Sequence, residues 1–225
     1  TKENLKKYLE DSKFSVSSNG VLYRTDKVGC IPGILDLWFA QRVKYKNEMK
    51  KYGKSGNKEK YAFFHKRQLV QKILLNSLYG VLGLPAFRFY DIDNAEAVTT
   101  TGQTVIKSTA DMANIKYNKE LGDPELDSNI YIDTDSVFFS ATPLLDKRIP
   151  SWRDNNQDTI AQYVNDIAEE MQDYLNDFYD ILSEKIFNVD KDKHRLEIKK
   201  EYVAKAGLWI AKKRYAQWII SDNGV

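Results

Sequence analysis

The chain has 225 residues, 42% of them hydrophobic and 12% aromatic, which is enough to bury the core of one large domain or two small ones. Its 34 Lys and Arg residues nearly cancel its 32 Asp and Glu residues, so the net charge of +2 neither indicates nor excludes a nucleic-acid partner. The single cysteine, Cys30, excludes an internal disulfide, and no apolar run is long enough for a signal peptide or a membrane span. We therefore expect an intracellular protein.

The first predicted element is a β-hairpin over residues 15–27, because β-prone residues flank a turn-forming Ser-Asn-Gly run. Beyond Pro32, apolar residues recur at helical spacing over residues 34–52, which predicts an amphipathic helix. A short polar turn with two glycines separates this helix from a second one, predicted over residues 58–82. The two helices together predict an antiparallel helical hairpin.

This predicted hairpin carries a positive charge that the net charge of the chain conceals. Its basic residues face only two acidic ones, Glu48 and Glu59. A surface of this kind suits an anionic partner. The basic residues are Arg42, Lys44, Lys46, Lys50, Lys51, Lys54, Lys58, Lys60, Lys66, Arg67 and Lys72.

The rest of the chain mixes helices with strands. A helix is predicted over residues 95–117, and β-strands rich in Ile, Val, Phe, Trp and Tyr over residues 130–140 and 208–220. Residues 154–190 are predicted to form an acidic amphipathic scaffold. The order of elements favours an α+β fold, with helices packed on an antiparallel sheet. The predicted buried stripe of the acidic region is Ile160, Tyr163, Val164, Ile167, Met171 and Leu175.

Asp133, Thr134 and Asp135 lie between two apolar runs, which predicts a strand, an acidic turn and a second strand. At the tip of a hairpin the flanking strands fix the direction of both carboxylates, so at least one of them can bind a hard cation such as Mg²⁺. The alternative is that Asp-Thr-Asp is ordinary turn chemistry with no ligand.

Two further groups of residues suit phosphate binding. Lys72, Asn76 and Tyr79 share one face of the second helix and precede Gly80, while Arg42 and Lys46 share one face of the first. If the helices pack antiparallel, these cations can converge on one polyphosphate, and the ring beside a glycine can meet a base pair. The alternative is a solvated basic surface above core side chains.

The run Lys212, Lys213, Arg214 and Tyr215 lies inside a predicted strand. Strand alternation would place Lys213 and Tyr215 on one side and Lys212 and Arg214 on the other. At least one basic side chain should then be partly sequestered unless an anion such as a phosphodiester meets it.

These motifs resemble those of family B DNA polymerases. Residues 72–80 resemble the fingers-helix motif, residues 131–136 the palm hairpin of Asp-Thr-Asp-Ser type, and residues 212–215 the Lys-Lys-Arg-Tyr primer-binding motif. They occur in the family's order, and the resemblance covers nearly the whole chain. Residues 87–91 and 100–103 look most like the replicative polymerases of tailed bacteriophages, which implies a location in the host cytoplasm.

The resemblance implies two-metal nucleotidyl transfer, with Mg²⁺ as cofactor and with primer–template DNA and deoxynucleoside triphosphates as partners. It implies that Asp135 bridges both ions, that Asp133 lies nearby, and that Glu201 is a further palm acid. Arg42, Lys46 and Lys72 are implied to grip the triphosphate with Asn76 beside them. Tyr79 would line the nascent base pair, and the residues implied to contact the primer or DNA are Gly80, Lys212, Lys213, Arg214 and Tyr215.

The resemblance also implies that the site is incomplete. No run here matches the family's Ser-Leu-Tyr-Pro type motif, whose strand carries the other metal-binding aspartate. We expect a second polypeptide to supply that strand and the exonuclease, and the isolated chain to be inactive. The start at Thr1 and the turn-like run 222–225 favour a fragment, a processed product or a split gene.

Within this interpretation residues 1–30 are a palm segment, residues 31–83 the fingers and residues 84–225 palm. Two rival hypotheses remain. One is a catalytically inactive nucleic-acid-binding module that keeps the polymerase fold. The other is a basic helical-hairpin interaction protein whose motif matches are accidental.

Overall fold

The computed structural model describes residues 7–8 and 14–222, so parts of the predicted amino-terminal palm segment and the end of the turn-like carboxyl terminus lie outside the described residues. The chain divides into two compact units between Thr100 and Thr101. Within the described residues there are five α-helices and three two-stranded antiparallel sheets, which confirms the α+β fold class. None of the described helices is long and apolar enough to cross a membrane.

The first unit contains the predicted β-hairpin, formed by β1 (Phe14–Val16) and β2 (Leu22–Arg24). Gly20 adopts the left-handed region, with a φ of 86°, and allows the tight turn. The side-chain amide of Asn19 donates a hydrogen bond of 3.0 Å to the backbone oxygen of Asp93, which ties this turn to a later helix.

Helices α1 (Cys30–Lys54) and α2 (Lys58–Leu82) form the predicted helical hairpin. α1 begins four residues before the predicted start, because proline is tolerated in the first turn of a helix and Pro32 lies there. Asn57 caps α2 by accepting a hydrogen bond from the backbone of Lys60. Stacked rings of Tyr52 and Phe64, 5.5 Å apart, hold the two helices together near the turn.

The second unit is built on three helices. α3 (Ile92–Leu121) begins in the first unit and extends the predicted helix at both ends, and α4 (Thr142–Arg148) and a 3₁₀ turn (Trp152–Asp154) precede α5 (Gln157–Ile186). α5 lies within the predicted acidic region, and its predicted stripe is confirmed as buried or half-buried. One core cluster contains Ala113, Tyr117, Leu144, Leu145, Ile167, Met171 and Leu175.

The remaining strands form two hairpins, β3 (Asn129–Asp133) with β4 (Ser136–Phe139) and β5 (Tyr202–Ala211) with β6 (Arg214–Asp222). The prediction of one continuous strand over residues 208–220 is therefore wrong. The chain reverses at Lys212 and Lys213, where Lys213 has a φ of 61°. Between β5 and α5 the segment 194–200 is held by amide side chains of α5: Asn176 bonds both backbone polar groups of Ile198.

Two buried tyrosines of the second unit differ in whether their hydroxyl groups are hydrogen-bonded. The Tyr117 hydroxyl is enclosed without a hydrogen-bond partner among the described residues, whereas the Tyr179 hydroxyl bonds Thr109 at 2.8 Å. Burial raises the pKa of both phenols, so both stay neutral. We expect Tyr117→Phe to leave the free energy of unfolding unchanged or higher, and Tyr179→Phe to lower it by about 1 kcal/mol. Urea unfolding of the two variants measures the difference, and equal losses would contradict it.

Arg148 joins α3 to α5 by bonding Glu120, at 2.6 and 2.8 Å, and Glu170, at 2.8 Å. The hydrogen bonds from Arg148 hold the pKa of Glu120 below its ordinary value. Because the folded pKa is the lower one, this stabilisation is present above the unfolded pKa and is lost as the pH falls through the folded pKa. We expect Glu120→Gln to flatten the loss of stability on acidification, as measured by urea unfolding at neutral and acidic pH. The exposed Glu125→Gln is the control and should keep the slope of the unmodified chain.

Candidate functional site

The tip of the β3–β4 hairpin presents the two predicted carboxylates. Asp133 ends β3 opposite Ser136, and Thr134 turns the chain with a φ of 52°. The Asp133 side chain is 15% exposed and accepts a hydrogen bond of 3.1 Å from the Thr134 hydroxyl, whereas Asp135 is exposed. The turn therefore holds one carboxylate against the protein and points the other into solvent.

The tip of the β5–β6 hairpin meets the tip of the β3–β4 hairpin. The backbone N–H of Lys213 donates a hydrogen bond of 2.9 Å to the Tyr131 hydroxyl. The Lys213 ammonium lies 3.6 Å from Asp133 Oδ1. The structure thus brings the predicted cation ligand and the predicted primer-binding turn together.

An aromatic cluster packs the two hairpins against each other. Phe138 lies at its centre, with ring centroids of Trp209 at 6.1 Å, Tyr215 at 5.9 Å and Tyr202 at 6.2 Å. Such contacts stabilise an interface beyond the area they bury. Gly207 completes the cluster, because a side chain there would overlap the Trp209 ring.

The basic run at this tip differs from its predicted geometry. All four of Lys212, Lys213, Arg214 and Tyr215 are exposed, so the expected sequestration of one basic side chain is wrong. The reason is that Lys212 and Lys213 form the turn between β5 and β6, while Arg214 and Tyr215 begin β6, so no single strand runs through all four residues. Tyr131 was missed as a partner of this turn, and no periodicity in the sequence indicates a contact across 82 residues.

The carboxylates of the described residues do not form a metal site on their own. No group of three or more acidic, histidine or cysteine side chains within residues 7–8 and 14–222 is placed to hold an ion. Two carboxylates, one beside a lysine, supply too little negative charge for two divalent cations a few ångströms apart. Glu201 is exposed and does not join Asp133 and Asp135 in such a group. Its assigned role stays a prediction.

In the first unit, the helical hairpin places the predicted triphosphate ligands on one face. The Gln71 side chain donates a hydrogen bond of 2.9 Å to Gln41 across the helix pair. Each residue of an α-helix is rotated by about 100° from the one before it, and antiparallel helices rotate in opposite senses. Arg42 and Lys72, which follow Gln41 and Gln71, therefore face the same side of the helix pair. The same geometry places Lys46, Asn76 and Tyr79 on that side.

These five residues are called the nucleotide face after their predicted role, and most of their side chains lie at the surface. Lys46, Lys72, Asn76 and Tyr79 are exposed. Arg42 is half-buried, and its Nε is enclosed without a hydrogen-bond partner among the described residues. On the following turn of α2, a side chain built at Gly80 would meet nothing within 4 Å, so the space beside it is open.

Known proteins of one family are similar to this chain over nearly its whole length. Residues 1–224 match the sequence model of DNA polymerase family B. The chain belongs to DNA polymerase family B. It is 33% identical over 158 residues to the DNA-directed DNA polymerase of Enterobacteria phage T4, covering 66% of this chain and 17% of the phage protein. The three ordered motifs are therefore not accidental, which removes the hypothesis of an unrelated helical-hairpin protein.

Two other polymerases are similar to this family B chain over different shares of its length. The DNA-directed DNA polymerase of Escherichia phage RB69 is 32% identical over 168 residues, which are 66% of this chain and 17% of that protein. The DNA polymerase of Thermococcus gorgonarius is 29% identical over 191 residues, which are 85% of this chain and 20% of that protein. The chain thus spans about a fifth or less of the length of these polymerases.

Proposed function

We propose that this chain contributes the nucleotide-binding fingers and part of the palm to template-directed DNA synthesis. The observation that carries the proposal is the contact between the two hairpin tips, because it joins a carboxylate turn to an exposed basic turn. Carboxylates suit hard cations, and lysines suit phosphodiesters. In this proposal residues 1–30 and 84–225 are palm and residues 31–83 are fingers.

The proposed reaction is nucleotidyl transfer. The primer 3′-hydroxyl attacks the α-phosphorus of a deoxynucleoside triphosphate, which forms a phosphodiester and releases pyrophosphate. Arg42, Lys46 and Lys72 bind the triphosphate with Asn76 beside them, and Tyr79 lines the nascent base pair. These residues act by positioning and by electrostatic stabilisation, since phosphoryl transfer needs little covalent chemistry from side chains.

We propose that the carboxylate set is completed by a palm strand on a second polypeptide. Asp133 and Asp135 supply one side of a Mg²⁺ site, and the second polypeptide supplies the other aspartate. β3 and β4 pair only with each other among the described strands, which leaves a sheet edge open for such a strand. The second polypeptide also carries the exonuclease in this proposal.

Primer extension tests the proposal. The chain is incubated with a primed template, triphosphates and Mg²⁺, with and without a polypeptide carrying the preceding part of a family B polymerase. We expect extension only in the complemented reaction. Extension by the chain alone would overturn the incompleteness of the site. Binding of primed DNA without extension in either reaction would favour the inactive nucleic-acid-binding module instead.

The primer-binding role of the basic turn gives a further prediction. We expect Lys212→Ala and Lys213→Ala each to weaken binding of primed DNA and to lower its log–log salt slope by about one. Fluorescence anisotropy at several salt concentrations measures both quantities. Lys191→Ala, in an exposed loop of the same unit, removes the same charge and should leave the slope unchanged. Unchanged slopes for Lys212→Ala and Lys213→Ala would rule out phosphate contacts at this turn.

A further inference from the structure

The turn of the helical hairpin carries a dense positive charge outside the nucleotide face. We define this hairpin tip as residues 50–60, which include the last turn of α1 and the first turn of α2. It contains five lysines and a single acidic residue, Glu59. The lysines are Lys50, Lys51, Lys54, Lys58 and Lys60.

Helix electrostatics account for only part of this charge. Lysines in the last turn of α1 lie near the negative end of that helix dipole, where they stabilise the helix. Lys58 and Lys60 lie instead in the first turn of α2, beside the positive end of its dipole, where cations are unfavourable. Lys60 contacts the Tyr52 ring and Glu59 lies in the same turn, but no ion pair of the described residues involves Lys58. A local rule broken in this way is typical of a functional surface.

The charge of the hairpin tip is not neutralised within the described part of the chain. None of the ion pairs found there involves a lysine of the tip. Lys51 and Lys60 are held over the Tyr52 ring, at 5.7 and 4.9 Å from its centroid. This contact fixes cations close to each other from both helices.

An open depression lies beside these cations. Its volume is about 560 Å³, and it is lined by Asn47, Lys50, Lys51, Lys54 and Ser55. Three ammonium groups, a carboxamide and a hydroxyl provide donors for phosphate oxygens. The lysines of the tip come from both helices, so a ligand that meets them all must bend around the turn.

We infer that the hairpin tip binds the sugar-phosphate backbone of single-stranded nucleic acid. A single strand is flexible enough to follow the turn, whereas a duplex is stiff over about 150 base pairs and touches one side only. The inference rests on the proposed function in one respect: the single strand is the segment of template ahead of the primer end. The contact is separate from the nucleotide face and adds no catalytic group.

Anisotropy titration of the full chain with a labelled oligothymidylate tests the inference. The triple variant Lys50→Gln, Lys54→Gln and Lys58→Gln should bind at least about tenfold more weakly and lose about two units of log–log salt slope. The control variant Lys119→Gln, Lys185→Gln and Lys191→Gln removes the same charge from exposed sites of the second unit. It should keep the affinity and slope of the unmodified chain.

Three outcomes would overturn the inference: equal losses in both triple variants, no binding of the oligothymidylate by the unmodified chain, or tighter tip-dependent binding of a polyglutamate peptide. Lys58→Gln alone provides a check on folding. It should raise Tm slightly, because it removes an unfavourable helix-end charge, while weakening binding. A lower Tm together with weaker binding would assign Lys58 to stability and overturn its place in the site.

Primed templates separate this inference from the proposed function. The triple tip variant should bind a template with a long single-stranded overhang more weakly, but should bind one with a single unpaired template nucleotide as the unmodified chain does. Equal weakening on both templates would overturn the tip assignment. Loss of nucleotide incorporation with normal overhang binding would instead count against the proposed function.

Discussion

Asp135→Asn is expected to abolish primer extension in the complemented reaction. Asp135 is the exposed carboxylate of the β3–β4 tip, and the substitution keeps its size while removing its charge. Changes to groups that merely support a metal ligand cost about 10–100-fold, so loss of a carboxylate that would itself hold Mg²⁺ should cost more than a hundredfold. The single-turnover rate of nucleotide incorporation measures this effect.

The matched control for Asp135→Asn is Asp192→Asn. Asp192 is an exposed aspartate in a loop of the same unit and should be neutral. Retained binding of primed DNA would show that Asp135→Asn acts on chemistry. Incorporation at the unmodified rate by Asp135→Asn would show that Asp-Thr-Asp is only a turn.

Lys72→Ala is expected to slow use of the triphosphate far more than it weakens binding of primed DNA. Lys72 lies on the nucleotide face, where it would meet a charge present only on the incoming nucleotide. Loss of one preorganised charged donor should cost roughly 3 kcal/mol, or about a hundredfold in kcat/KM. Steady-state incorporation in the complemented reaction and anisotropy with primed DNA give the two quantities.

Lys44→Ala is the control within the same hairpin. Lys44 is exposed and lies about 200° around α1 from Arg42, on the opposite side of the helix pair. The substitution Lys44→Ala removes the same charge from the hairpin as Lys72→Ala does, and it should change kcat/KM little. Equal losses in nucleotide use and DNA affinity for Lys72→Ala would place Lys72 in a generic basic surface.

Elements with a strong local signal could be predicted from the sequence. Both helices of the hairpin follow from apolar spacing and glycine breaks, and the second has the predicted bounds, Lys58–Leu82. The carboxylate turn was also predictable, because short apolar runs flank an acidic tripeptide. In each case the determining residues lie within a few positions of each other.

The turn at Lys212 and Lys213 could not be predicted in the same way. Lys213 adopts the left-handed conformation, for which lysine has no preference. The run contains no Gly, Asn or Asp, the residues that usually indicate such a turn. The hydrogen bond from Lys213 to Tyr131, a residue far away in sequence, holds the turn. Long-range contacts of this kind determine the geometry of the candidate site but produce no periodic pattern in the sequence.

The three two-stranded sheets have a consequence for handling the isolated protein. Each described strand pairs with one neighbour only, so the β3–β4 and β5–β6 hairpins have edges that no other described strand covers. Apolar side chains stand out beside these edges, including Ile130, which is 47% exposed, and Ile210, which is 76% exposed. Such edges template association between copies of a chain. We therefore expect the isolated protein to self-associate through these edges, and a peptide strand that pairs with them to keep the sample monodisperse.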